Sequence, residues 1–290
     1  MRQKILILGG TGMFGMPTAQ QLKADGFQVR LLVRDTVKAQ KFFGDEFEIV
    51  QGDVADLASL EQAMQGCYGV HISVGGLVDQ LSAENVAALA PKLGVERVTY
   101  ISGATVAEKN RWFPMVAQKL EAEKAIRASS VPYTIFCPTW PMEQIVRFAR
   151  DGKPSLMGKQ PLPVHFFAAT DLARMVSQAY QLDEAQNKRL YVYGPEALTM
   201  KTALERYCAK FHPEVEKISV MPIWMAKVLG TLTGNEMLKF ASGLMGYFDK
   251  TPETGDPSEA NQILEAPATT LEAWMDSLNS KGKSSWHSQD

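Results

Sequence analysis

Near the start of the chain, Gly9-Gly10-Thr11-Gly12-Met13-Phe14-Gly15 places glycines at the spacing a backbone needs to wrap an anion. The stretch reads as G-x-G-x-x-G through Gly10, Gly12 and Gly15, and as G-x-x-G-x-x-G through Gly9, Gly12 and Gly15. Gly9 or Gly10 permits a sharp turn, Gly12 lets bare amides approach a pyrophosphate, and Gly15 lets a helix pack close to the preceding strand. A helix opening here adds unpaired N–H groups and the positive end of its dipole. The chemistry on offer is capture of a dinucleotide by its phosphates. The motif follows an apolar run at 5–8 and opens a helical stretch, which is the setting it requires. The alternative is a glycine-rich turn that holds nothing.

Arg34 stands nineteen residues after Gly15, at the end of a second strand pattern at 29–33. NAD sites usually carry an acid there for the ribose 2′-hydroxyl, whereas a guanidinium suits a 2′-phosphate. With Lys38 four residues on, the pattern favours NADP. The competing reading is NAD, with Asp35 on the ribose and Arg34 solvated. Asp53, followed by Val54, ends a third strand pattern and would either accept from the adenine amino group or cap the next helix. Val74, Gly75 and Gly76 end a fourth, where two glycines allow close backbone approach on the adenosine side.

These residues need a scaffold that gathers the carboxyl ends of several strands. Strand patterns at 4–8, 29–33, 47–50, 70–74, 98–101 and 133–136 alternate with helical ones at 13–24, 57–64, from about 82 to Pro91, and 115–128. Apolar strands separated by crossover helices predict an α/β fold, a doubly wound parallel (Rossmann) sheet with its nucleotide site at the strands' carboxyl ends. After 138 the pattern changes, and Pro138, Pro141, Pro154, Pro161 and Pro163 interrupt it. Helices are expected at 169–182, with Thr170 or Asp171 as N-cap, and at 199–211, with a strand at 190–193. The segment 222–249 reads as broken helix, and Met221, Met225, Met237 and Met245 as core or a flexible pocket wall. The expected organisation is an NAD(P)-binding domain at 1–137, a smaller, mainly helical substrate region at 138–278 that lends a strand and helices to the main fold and covers the sheet's carboxyl edge, and a mobile tail at 279–290.

Composition narrows the function further. Thirty Lys and Arg against thirty-two Asp and Glu give a formal charge of −2, so no basic field exists to make nucleic acid a main partner. At 46% hydrophobic and 21% charged, the chain has ample material for a core. Its apolar runs fall short of the ~20 residues of a membrane helix, and the run at 5–8 is too short for an export signal. Cys67, Cys137 and Cys208 are an odd count without metal spacing, and His71, His165, His212 and His287 share no close spacing. A reducing, cytoplasmic setting without a metal site is expected. His165, before Phe166-Phe167, reads as a packed histidine.

Six stretches together resemble the NmrA-like, atypical branch of the short-chain dehydrogenase/reductase superfamily. They are ILILGGTGMFG at 5–15, VRLLVRD at 29–35, VERVTYISG at 95–103, KLEAEKAIRASSVPYTIFCPTWPME at 119–143, AATDLARMVSQA at 168–179 and YVYGPEALT at 191–199. The resemblance implies that Lys119 matches the lysine of the superfamily's YxxxK, where it binds the nicotinamide ribose and supplies positive charge or a proton. Met115 stands where the tyrosine would be, and a thioether donates no proton. Ser102 matches the superfamily's serine region. Pro138, Thr139 and Trp140 are implied to line the cofactor, with Trp140 or Met142 facing a substrate. Spacing alone instead pairs Lys119 with Glu123 at i,i+4 on a solvated helix face, and makes Tyr100 a core residue rather than a substitute acid. The implied function is NADP-dependent hydride transfer to a small, apolar carbonyl- or quinone-like acceptor. The alternative is a non-catalytic NADP(H)-binding redox sensor or assembly protein. A sugar-nucleotide epimerase fits less well, since that group depends on the missing tyrosine.

Overall fold

The apolar pentapeptide Lys4–Leu8 forms β1, and every residue of it after Lys4 is buried. In the computed structural model, which describes residues 3–280, β1 is followed by α1 (Gly15–Ala24), β2 (Gln28–Val33), α2 (Thr36–Phe43), β3 (Glu48–Gln51), α3 (Leu57–Met64) and β4 (Gly69–Ile72). Then come α4 (Asp79–Leu89), β5 (Arg97–Ile101), α5 (Pro114–Ala128), β6 (Tyr133–Pro138), α6 (Ala169–Ala179) and β7 (Lys188–Val192). The seven strands form one parallel sheet in the order β3-β2-β1-β4-β5-β6-β7. Strand order reverses between β1 and β4, which in open α/β sheets is where ligands bind. A doubly wound parallel α/β sheet is the architecture expected from the alternation of patterns; the strand expected at 190–193 joins it as the seventh.

Local chemistry sets the boundaries. Gly26, at φ +91°, ends α1: its N–H bonds to Lys23 O and that of Phe27 to Leu22 O, each at 3.0 Å, the bonding of a glycine C-cap. Helix α4 starts at Asp79, three residues before the expected 82, and stops ahead of Pro91. Pro114 occupies the first turn of α5, where its missing N–H costs nothing. Thr170 and Asp171 lie inside α6, which already begins at Ala169, so neither is its N-cap.

The described residues divide into two units. The first takes 3–138, Ala169–Val192 and Gly255–Pro267; the second takes Thr139–Ala168, Tyr193–Thr254 and 268–280. In the second unit Trp140, Met142, Phe166, Leu204, Met245 and Trp274 share a core. Two short strand pairs, Val164–Phe166 with Glu196–Leu198 and Ser155–Met157 with Ser219–Met221, accompany the helices Met200–Phe211, Ile223–Thr233 and Glu236–Phe248. Of the four methionines expected in a core or pocket wall, Met245 is buried, but Met225 and Met237 are exposed, as are Trp224, Leu232 and Phe240. The expected tail falls mostly outside the described residues. Among those residues no helix is long and apolar enough to cross a membrane.

His71, on β4, is fully buried. Its Nδ1 lies 2.7 Å from Thr99 Oγ1, which in turn meets Tyr180 Oη at 2.9 Å, and its Nε2 has no partner among the described residues. Burial pushes its pKa down to about 3, so the folded protein keeps the ring neutral. An unfolded chain binds that proton near pH 6.5, so it holds more protons than the native state below that value. The associated stability is complete above about pH 6.5 and is lost as pH falls towards about 3, at about 1.4 kcal/mol per pH unit. Urea unfolding between pH 7 and pH 5 should show this slope, and His71→Asn should flatten it by about that amount.

Candidate functional site

The turn after β1 is as crowded as its glycines imply. Gly9 takes φ +85°, and a Cβ there would lie 2.7 Å from the carbonyl oxygen of Ser73, just beyond β4. A Cβ on Gly15 would lie 2.1 Å from Gly9 O. The N–H of Gly12 donates to Gly9 O at 2.9 Å, closing the turn. Phe14 precedes α1, and no side chain caps the helix from that position. Thr11, Gly12, Met13 and Phe14 are half-buried between these fixed points. The result is a tight backbone cradle at the sheet's reversal point with a helix N-terminus behind it, the geometry that suits a diphosphate.

Beside it, Arg34 leaves the end of β2 exposed, and its guanidinium makes no hydrogen bond or ion pair among the described residues. Asp35 is occupied within the fold, its Oδ1 accepting from Lys38 N–H at 2.9 Å as the N-cap of α2. That helix has no counterpart among the expected elements, although an Asp-Thr step is an ordinary start signal. Lys38 lies on its first turn and is exposed. Asp53 does not cap α3; Asp56 does, accepting from Ala58 N–H at 3.0 Å. Asp53 closes a local turn instead, with Oδ1 accepting from Ala55 N–H at 2.9 Å. Val54 is tied down through its carbonyl, which accepts from Asn85 Nδ2 at 2.8 Å. After β4, Val74 packs on the core of the first unit, while Gly75 and Gly76 are exposed.

Lys119 does not pair with Glu123. Its ammonium donates to Asp79 Oδ2 at 2.7 Å and to Ile101 O at 2.9 Å, and makes a longer contact of 3.4 Å to Tyr100 Oη. Asp79, the first residue of α4, is buried, and its Oδ1 accepts from Tyr100 Oη at 3.0 Å. Tyr100 is fully buried, as expected of a core residue, and burial followed by the adjacent Asp79 carboxylate pushes its hydroxyl pKa well up. Such a hydroxyl holds its proton. Sequence alone does not single out Asp79; its only signal is that of an acid opening a helix.

Ser102 faces a different cluster. Its hydroxyl donates to Glu123 Oε1. Glu123 also accepts from Arg189 on β7, with Nε to Oε2 at 2.9 Å, and that arginine donates to Val106 O at 2.7 Å. Nearby, burial pushes the Cys137 thiol up to about 12. Met115, four residues before Lys119 on α5, offers no proton. Pro138 ends β6, and its carbonyl accepts from Ala104 N–H at 2.8 Å.

In the second unit, Thr139 Oγ1 donates to the carbonyl of His165. Trp140 packs between Phe148 and Phe248, its Nε1 without a hydrogen-bond partner among the described residues, and Met142 is buried. His165 is more than packed filler. Its backbone N–H donates to Glu253 Oε1 at 3.0 Å and its Nδ1 lies 2.7 Å from Oε2. Burial raises the Glu253 pKa. This pairing spans 88 residues of sequence, which hides it from any local pattern.

The NmrA-like family matches residues 1–275. A photosystem II assembly factor, Ycf39, from Trieres chinensis is 24% identical over 292 residues, covering 93% of this chain and 91% of that protein. The phenylcoumaran benzylic ether reductase IRL1 of Ginkgo biloba is 25% identical over 303 residues, covering 94% of this chain and 98% of its own. Among solved structures, the NADPH-dependent quinone oxidoreductase QOR2 of Escherichia coli, complexed with NADPH, superposes with a TM-score of 0.76 at 20% identity, covering 95% of this chain and 99% of that one. At that identity the superposition establishes the fold.

Proposed function

The chain belongs to the NmrA-like family, and on that premise we propose that it is an NADPH-binding reductase acting on a small, apolar carbonyl- or quinone-like acceptor. The observation that carries this reading is Arg34, an exposed guanidinium unpaired among the described residues and beside the glycine turn, while Asp35, the acid that NAD would need, is committed to capping α2. Gly9, Gly10, Gly12 and Gly15 would hold the pyrophosphate, and Arg34 with Lys38 the 2′-phosphate. Asp53, Val54, Val74, Gly75 and Gly76 would flank the adenosine, and Lys119 would bind the nicotinamide ribose. When bound, NADPH supplies a hydride. The protein's part is to fix that group and to hold a cation, Lys119, where an acceptor oxygen gains charge. Ser102 is spent on Glu123, so its part is to brace the Glu123–Arg189 pair.

A relative named as a benzylic ether reductase supports this reading, and the fold is shared with a protein named as an NADPH-dependent quinone oxidoreductase. A second reading, NADPH binding without turnover in an assembly or regulatory role, draws on Met115 in the tyrosine's place and on the likeness to Ycf39. Oxidation of NADPH by any of a panel of quinones and aldehydes decides for the reductase. Binding with no oxidation decides for the second reading.

Arg34→Ala tests the cofactor assignment. Charge-assisted hydrogen bonds of about 1.5–3 kcal/mol correspond to about a ten- to hundred-fold loss for NADPH, with little change for NADH. Equal losses for both cofactors in calorimetric titrations would contradict the role given to Arg34.

A further inference from the structure

We infer that Asp79 is the positioning residue for Lys119: it fixes the ammonium so that one N–H is left for the nicotinamide ribose. This rests on the reading that Lys119 meets that ribose. An ammonium has three N–H donors on a freely turning carbon stem. Here two are committed, at 2.7 Å to Asp79 Oδ2 and at 2.9 Å to Ile101 O. Among the described residues the third has only the 3.4 Å contact to Tyr100 Oη, near the limit of a hydrogen bond, so it is the one a ligand can take. Fixing two bonds of a tetrahedral nitrogen fixes the direction of the third.

Asp79 is itself held. Tyr100 donates to its second oxygen at 3.0 Å, and its place as the first residue of α4 puts the carboxylate at the positive end of the helix dipole. Its side chain is 3% exposed and that of Lys119 14%, so water competes weakly for either. Asp79 follows closely on Val74, Gly75 and Gly76, so this carboxylate joins the loop after β4 to the lysine on α5. Within the cluster, Asp79, Tyr100 and Lys119 are the ionisable groups in direct contact.

The test separates aim from folding by using two ligands. NADPH carries the nicotinamide ribose; adenosine 2′,5′-bisphosphate lacks it but retains the 2′-phosphate. Asp79→Asn, which keeps the acceptor for Tyr100, should weaken NADPH about ten-fold or more while leaving the bisphosphate within about two-fold of wild type. Asp79→Glu keeps the charge, moves the carboxylate by one methylene, and should show the same selective loss if the asparagine variant folds poorly. Equal weakening of both ligands would make Asp79 a merely structural residue and overturn the inference. So would unchanged NADPH binding in both variants. Wild-type protein that binds neither ligand would instead defeat the NADPH reading itself.

Discussion

Replacing Gly15 with alanine should abolish NADPH binding for practical purposes, weakening it by at least about a hundred-fold. The new Cβ would lie 2.1 Å from Gly9 O, 2.7 Å from Gly9 C and 2.8 Å from Gly10 Cα. All three are backbone atoms, so no side chain can swing aside. Either α1 must move away from β1 or the turn must open, and both displace the amides that would meet the pyrophosphate. A forced backbone shift of this kind costs about 3 kcal/mol or more, which is the hundred-fold. Calorimetric titration reads the loss, and circular dichroism shows whether the sheet survives. Binding within two-fold of wild type, with the fold intact, would mean that the turn does not hold the ligand.

The second large effect is on stability. Lys119→Met should destabilise the protein by about 3–5 kcal/mol, because it leaves the buried Asp79 carboxylate without its cation. Removing both charges in Asp79→Asn/Lys119→Met should recover most of that loss, since a buried ion pair contributes little net stability but each half alone is costly. Urea unfolding of the two single variants and the double variant measures the coupling. Additive losses would show that the two side chains act independently.

Much of the scaffold is legible in the sequence because strands of the parallel sheet carry short apolar runs, as at 5–8 in β1 and 31–33 in β2, and the helices between them carry the other period. The glycine turn is legible because close approach admits only glycine, and the crowding at Gly9 and Gly15 is what the motif implies. Helix α2 is not visible as a separate pattern, since Asp35 serves equally as a cap or as a ribose acceptor until a structure shows which donor it holds. Partners are harder still. Lys119 has a ready partner one turn away in Glu123, and local spacing selects it. The fold instead brings Asp79 forty residues to Lys119 and gives Glu123 to Ser102 and Arg189. The His165–Glu253 pair and the three-residue strands of the second unit have the same cause: each is fixed by contacts distant in sequence. The exposed methionines at 225 and 237 show that an apolar composition specifies helix better than it specifies burial.

The most direct measurement is a calorimetric titration of the purified chain with NADPH and, separately, with NADH. One saturable site with NADPH bound more tightly than NADH is the expected result. No heat with either dinucleotide, from folded protein, would contradict the assignment of the glycine turn and Arg34 to a phosphorylated dinucleotide.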